Sequence, residues 1–132
     1  MKPHSSVAAY LQEVEVAVGE LVEGYIELYL EELLTPDRAN LRIRVRFDNG
    51  RLLEISEALA VEEDVLQHLD YRYHCQSEQN QLVFRYDSAP HFPGLPGFPY
   101  HKHIPGSTLP AERPSIRQVL IEACRTRMVD SD

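Results

Sequence analysis

The chain has 132 residues, 43% hydrophobic and 26% charged, and 13 basic against 21 acidic side chains give a net charge of −8. This length predicts one domain spanning residues 1–132. No run reaches the ~18 apolar residues of a membrane span, and MKPHSS lacks the apolar core of a signal peptide. The sequence therefore predicts a soluble, cytoplasmic domain, and its acidity argues against broad nucleic-acid binding, because phosphate contacts come from Lys and Arg.

Charge is unevenly distributed along the chain. Residues 1–80 carry 7 basic and 16 acidic side chains, a net of −9, whereas residues 81–127 carry 6 basic and 3 acidic ones, a net of +3. The basic part also holds His91, His101 and His103. Such asymmetry can mark an anion-binding region beside an acidic body.

The first predicted element is an amphipathic helix over residues 5–21, with Ser5 or Ser6 as its N-cap. From Gly24 the hydrophobic period changes to two, which predicts a strand, although good helix formers leave a helix open as the alternative. Leu41 to Phe47 alternates almost ideally, and Asn49-Gly50 then predicts a type I′ hairpin turn. Return strands are predicted over 51–60, 66–76 and 82–87, so residues 24–87 form about five antiparallel strands.

Residues 88–114 are rich in proline and glycine and are predicted to form an ordered loop that carries a His-x-His motif. A second helix is predicted over 115–128, with Ile116, Val119, Leu120, Ala123 and Cys124 as its buried stripe. The fold class is therefore α+β: a single curved antiparallel sheet of about five strands, with the N- and C-terminal helices packed on one face.

Residues that can carry chemistry cluster around this loop. If residues 100–104 are extended, His101 and His103 project from the same face. Two imidazoles can then serve as an acid/base pair, or they can bind a divalent metal with Asp87. We expect no cofactor, the metal being the less favoured alternative. Lys102 and Arg85 can hold an anionic substrate such as phosphate, and His91 is a third candidate for binding it.

Other polar residues are given structural roles. His68 and His74 are predicted to face solvent, and His4 to lie in a loose terminus. The arginine row of β-strand 41–47 is expected to pair with acids such as Glu54 rather than to bind RNA. Cys75 and Cys124 are predicted to be small buried hydrophobes, since nothing nearby indicates an activated thiolate.

Residues 71–103 resemble the TumE-like family of small bacterial and archaeal toxin–antitoxin proteins. That family pairs Tyr-Asp-Asn at a strand end with a downstream His-x-His, which Tyr86-Asp87 and His101-Lys102-His103 match. Ser88 stands where Asn is usual, Phe92 rather than a second histidine follows His91, and Tyr100 precedes the pair. The likeness extends over most of the chain, including the Asn-Gly hairpin and the C-terminal helix.

The resemblance implies the toxin of a type II system, neutralised by a DNA-binding antitoxin encoded beside it. Small toxins of this kind often cleave RNA, and an RNase needs a base, an acid and cations for the phosphate. His101 and His103, with Asp87 and Tyr86, are then the candidate catalytic residues, and Arg85, Lys102 and His91 the candidates for substrate binding. The alternative is a non-catalytic binding module whose acidic body docks a basic partner. Convergence of His91, His101 and His103 within about 5 Å of one another and of Asp87 would favour the metal-binding or acid/base interpretation, and scattered, solvent-facing histidines would favour the binding module.

Overall fold

Two helices and an open antiparallel sheet of seven strands make up the fold. The computed structural model describes residues 1–88 and 99–125. Each strand pairs with the next along the chain, so the spatial order is the sequence order. The elements are α1 (Ser5–Gly19), β1 (Gly24–Thr35), β2 (Arg38–Phe47), β3 (Leu52–Glu62), β4 (Val65–Gln76), β5 (Leu82–Asp87), β6 (His101–Ile104), β7 (Ser107–Pro110) and α2 (Ile116–Cys124).

The core lies between both helices and one face of the sheet. Alternate residues of β2 to β5 point into it, as the period of two requires, and each helix adds its apolar stripe. Val14 and Val18 of α1 meet Val119 and Ala123 of α2 in the same cluster. The prediction of helices on one side of the sheet is therefore confirmed, and the opposite face, called here the outer face, carries the polar alternation of β2 to β6.

The expected count of about five strands is too low, because β6 and β7 lie inside the segment predicted as a loop. The His-x-His motif forms β6, which pairs with β5 on one side and β7 on the other. Pro105-Gly106 forms the turn between them, with Gly106 at φ +80. Short edge strands tolerate neighbouring prolines. The high proline content of residues 88–114 therefore led to the prediction of a loop where β6 and β7 form. Residues 89–98 of the predicted loop lie outside the described part of the chain.

The region from Gly24 is a strand, so the helix alternative is wrong. The Asn49-Gly50 hairpin is present, but its turn is not type I′, since only Gly50 of the pair has a positive φ, of +88. Gly50 N–H donates to Phe47 C=O, and Phe47 N–H to Arg51 C=O, which is the pattern of a longer loop with glycine in the left-handed region. Positive φ at two consecutive residues occurs instead at Glu63 and Asp64, between β3 and β4.

The two helix starts differ in how well the sequence predicts them. Ser115 caps α2 in a capping box with Gln118, as expected for a helix beginning there. Helix α1 is capped not by a serine but by His4, whose Nδ1 accepts from Ser6 N–H at 3.0 Å. His4 also donates its backbone N–H to Pro36 C=O at 2.8 Å, so this end of the chain is anchored rather than loose. Helix α2 ends at Cys124, before the predicted boundary at 128, and residues 126–128 lie outside the described chain.

His68 does not face solvent as the alternation of β4 predicts. A register shift between Ala58 and Leu59 places His68 opposite the buried Leu59, and its side chain is 13% exposed. A bulge of this kind moves the following residues of a strand to the other face. His74 is partly buried, and Cys75 is fully buried as predicted, with a thiol pKa that burial raises to about 12.

No helix among residues 1–88 and 99–125 is long and apolar enough to span a membrane.

Candidate functional site

Strand register brings three of the predicted site residues together. Asp87 ends β5 directly opposite His101, and Arg85 lies opposite His103. Cross-strand partners share a face of the sheet, so these four side chains emerge on the outer face, where β5 and β6 meet. The prediction that His101 and His103 lie on the same side of an extended segment is confirmed.

The two imidazoles converge on one carboxylate. His101 Nε2 lies 2.7 Å from Asp87 Oδ1, and His103 Nε2 lies 3.7 Å from Asp87 Oδ2. The two rings meet edge to face, with centroids 4.7 Å apart and planes at 81°. Each Nε2 therefore has its own carboxylate oxygen, and His101 and His103 converge on Asp87 as the catalytic interpretation requires, while the third histidine of that prediction, His91, lies outside the described residues. We call Asp87, His101 and His103 the Asp-His-His cluster.

The far side of each ring is held by an oxygen atom. His101 Nδ1 is 2.7 Å from the carbonyl oxygen of Pro99, and His103 Nδ1 is 3.3 Å from Thr108 Oγ1 on β7. Such contacts set the orientation and tautomer of an imidazole. Neither partner was predicted, because the sequence gives no sign that β7 lies beside the His-x-His strand.

The three members of the cluster differ in exposure. The side chains of His101 and Asp87 are only 1% and 3% exposed, whereas that of His103 is 18% exposed. His103 is therefore the member that a substrate can reach. One donor atom from each residue lies within 4.8 Å of the others, so the cluster also has the residues and spacing to hold a metal ion.

Tyr86 and Lys102 do not join the cluster. They are cross-strand partners on the helix side of the sheet, where both side chains bind Glu122 of α2. Tyr86 donates its hydroxyl to Glu122 Oε1 at 2.6 Å, and Lys102 Nζ donates to Oε2 at 2.7 Å while lying 4.9 Å from the Tyr86 ring centroid. Burial alone would lower the pKa of Lys102, but the Glu122 carboxylate outweighs it and the pKa is raised. This ion pair ties the His-x-His strand to α2.

Arg85 lies beside the cluster and forms no ion pair with a carboxylate of residues 1–88 or 99–125. Its Nε donates to His74 Nδ1 at 3.1 Å. Burial, and then the charge of Arg85, lower the pKa of His74, so this histidine accepts as a neutral ring. Arg85 is thus placed to meet an anion near His103. His91 lies outside the described residues.

Ser88, which stands where the resembled family has Asn, holds the end of β5 to β4. Tyr71 N–H donates to Ser88 Oγ at 3.1 Å, and Ser88 N–H donates to Tyr71 C=O at 3.2 Å. The Ser88 hydroxyl therefore ties the chain directly after Asp87 to Tyr71 on β4.

A second polar cluster, missed in the sequence, lies in the core around Glu57. This carboxylate is 2% exposed and accepts hydrogen bonds from the hydroxyls of Tyr10, at 2.7 and 2.9 Å, and Tyr73. His68 Nε2 lies 3.2 Å away, and Arg113 donates to the Tyr73 hydroxyl at 3.1 Å. Glu57 falls on a core position of β3, and a charged residue in an otherwise apolar alternation was the available signal.

Comparison with known proteins gives one match. Neither the curated proteins nor the solved structures match the chain. The family model described as Toxin TumE matches residues 11–128, which include the whole sheet, α2 and the Asp-His-His cluster. The chain therefore belongs to the toxin TumE family.

Proposed function

We propose that this chain is the toxin of a prokaryotic type II toxin–antitoxin pair and that it acts as an endoribonuclease at the Asp-His-His cluster. Membership of a toxin family supports the first part and suggests an antitoxin as partner. The proposal extends this to a DNA-binding antitoxin that neutralises the toxin in the cytoplasm.

One observation supports the ribonuclease: two imidazoles share a buried carboxylate, and one of them reaches the surface beside an arginine. RNA carries its own nucleophile, the 2′-hydroxyl, so cleavage needs chiefly a base for that proton and a cation for the phosphate. The 2′-oxygen then bonds to phosphorus, the bond from phosphorus to the 5′-oxygen breaks, and the 5′-oxygen takes a proton. The products are a 2′,3′-cyclic phosphate and a 5′-hydroxyl.

The geometry supports different roles for the two histidines of the predicted acid/base pair. His103 is partly exposed and lies opposite Arg85 across the strands, so it is the imidazole positioned to act on the 2′-hydroxyl. His101 is buried between Asp87 and the Pro99 carbonyl, which makes it a positioning residue. Arg85 contacts the phosphate, and Tyr86 and Lys102 hold β6 against α2.

The test combines growth and RNA cleavage. Expression without an antitoxin should arrest growth, and purified protein should cut single-stranded RNA but not the same strand with 2′-O-methyl groups. His103→Ala should lower the cleavage rate by about 10²–10⁴-fold, as should the His101→Ala/His103→Ala pair. His4→Ala, at the N-cap of α1 and outside the cluster, is the histidine control and should cleave normally.

Two results would contradict the proposal. Growth arrest that persists at full strength in the double variant would mean that the histidine pair is not catalytic. Cleavage of RNA and of its 2′-O-methyl counterpart at equal rates would exclude the 2′-hydroxyl as nucleophile. The alternative, an acidic module that only docks a basic partner, predicts no cleavage and no effect of either histidine on growth.

A further inference from the structure

We propose that the Asp-His-His cluster binds a divalent transition-metal ion through Asp87, His101 and His103. This inference concerns binding, which can be measured without RNA. It deepens the proposed function by naming a cofactor for the same site.

One contact assigns the tautomer of His101. A backbone carbonyl only accepts hydrogen bonds, so the 2.7 Å contact with Pro99 assigns a hydrogen to His101 Nδ1. In the neutral ring, Nε2 then carries a lone pair. Histidines that bind metals characteristically donate their other ring N–H to a backbone carbonyl or a carboxylate, which is the arrangement of His101.

The other ring nitrogen of His101, Nε2, lies against a carboxylate. His101 Nε2 faces Asp87 Oδ1 at 2.7 Å in a region that excludes water, since both side chains are almost fully buried. A lone pair and a carboxylate oxygen repel each other at this distance unless a cation lies between them. The cation is either a proton, giving an imidazolium, or a metal ion.

Convergence of three donor atoms favours a metal ion over a proton. A proton bridges only His101 Nε2 and Asp87 Oδ1, whereas His103 Nε2 also lies 3.7 Å from the second oxygen of the same carboxylate. Two ligands about 2.1 Å from one ion lie about 3.0 Å apart in an octahedral site and about 3.4 Å apart in a tetrahedral one. The 2.7 Å between His101 Nε2 and Asp87 Oδ1 is nearest the octahedral distance, and His103 brings a third donor atom within 4.8 Å.

The ligand set indicates the kind of metal. Imidazole nitrogen suits Zn²⁺, Fe²⁺, Mn²⁺ and Ni²⁺, whereas Mg²⁺ prefers oxygen ligands throughout. Three protein ligands are the number found in catalytic rather than structural zinc sites, where water takes the remaining position. A bound metal ion would supply as the base a water whose pKa it lowers to about 7, and His103 would then hold the ion instead of acting on the 2′-hydroxyl itself.

The experiment uses the full chain, stripped with EDTA and dialysed, and titrates it with Zn²⁺ by calorimetry and with Co²⁺ by visible absorption. We expect binding of a single equivalent, a rise in Tm that EDTA reverses, Co²⁺ d–d bands and much weaker binding of Mg²⁺. Asp87→Asn should abolish the bands. Thr108→Val keeps all three ligands but removes the support of His103, and should weaken binding by about 10-fold.

His74→Gln is the matched control, since this histidine lies on the same face outside the cluster, and its binding should be unchanged. Circular dichroism of metal-free Asp87→Asn checks that the variant folds. Absence of stoichiometric binding, or binding unaffected by Asp87→Asn and Thr108→Val, would overturn the inference. RNA cleavage by protein that binds no metal would overturn the metal site and leave the proposed ribonuclease intact. Metal binding without RNA cleavage would overturn the proposed ribonuclease and leave the metal site intact.

Discussion

At the residue scale, Glu57 shows how the core carries a charge. Burial on its own raises the pKa of this carboxyl, but the hydrogen bond and charge of His68, with the hydroxyls of Tyr73 and Tyr10, outweigh it and hold the pKa below its ordinary value. The same carboxylate, together with burial, raises the pKa of both tyrosines, so they stay neutral donors. Tyr10 lies on α1 and both His68 and Tyr73 lie on β4, so the network joins α1 and β4 to Glu57 on β3.

We expect Glu57→Gln to lower the free energy of unfolding by about 1–3 kcal/mol at neutral pH, since it removes a buried acceptor of several hydrogen bonds. A carboxyl whose folded pKa is depressed contributes stability above its unfolded pKa, near 4.5, and loses it as pH falls through the folded value. Urea denaturation across that range should therefore show a shallower acid dependence in the variant. Glu31→Gln, at an exposed position of β1, is the control and should change stability by less than about 0.5 kcal/mol. Equal pH dependence in wild type and Glu57→Gln would contradict this account.

At the element scale, the two helices begin by different means. Ser115 satisfies the first turn of α2 through Gln118 N–H at 3.1 Å, while Gln118 accepts from Ser115 N–H at 2.8 Å. In α1 the imidazole of His4 accepts the capping hydrogen bond from Ser6 N–H, and Ser5 is an exposed residue of the first turn. The preference of serine for N-caps predicts the cap of α2 correctly and that of α1 wrongly, because in α1 the His4 side chain accepts the capping hydrogen bond.

Ser115→Ala should therefore cost about 1 kcal/mol of stability, the usual value for a lost N-cap. Ser5→Ala should change it by less than about 0.5 kcal/mol. Thermal and urea unfolding of the two variants compare serines that the sequence alone treats alike. A larger loss for Ser5→Ala than for Ser115→Ala would show that the capping roles are reversed.

At the scale of the whole molecule, the net charge of −8 conceals a basic strip on the outer face. Strand register aligns Arg42, Ser56, Arg72, Asp87 and His101 in one row across the sheet. The neighbouring row holds Arg44, which pairs with Glu54 at 2.8 Å as the sequence predicts, and then His74, Arg85 and His103. In the part of the chain that the structure describes, Arg42 and Arg72 have no ion-pair partner. These two rows together form the basic strip, and they end at His101 and His103 of the Asp-His-His cluster.

If RNA is the substrate, this strip should bind its backbone. Arg42→Gln and Arg72→Gln should each weaken binding of a 2′-O-methylated RNA strand several-fold and lower the salt dependence of log K by about 0.7. Fluorescence anisotropy over a range of salt concentrations measures both. Arg117→Gln changes net charge equally but lies on α2 beside Glu20, so it should have little effect. Equal weakening by all three variants would mean that only overall charge matters.

The sequence by itself determined the elements whose pattern is local. The alternation of Leu41, Ile43, Val45 and Phe47 and the Ser115 cap are both found as predicted, because a period or a cap depends on residues a few positions apart. The motif Tyr86-Asp87 with His101-Lys102-His103 likewise indicated the family.

Only the tertiary structure decided which of those residues meet. Pairing of β5 with β6 directs Asp87, His101 and His103 to the outer face and sends Tyr86 and Lys102 to Glu122, although all five belong to the same motif. The bulge at Ala58 turns His68 inward, and β7 supplies Thr108 behind His103. These outcomes depend on strand register and on contacts between residues far apart in the chain, which no local pattern specifies.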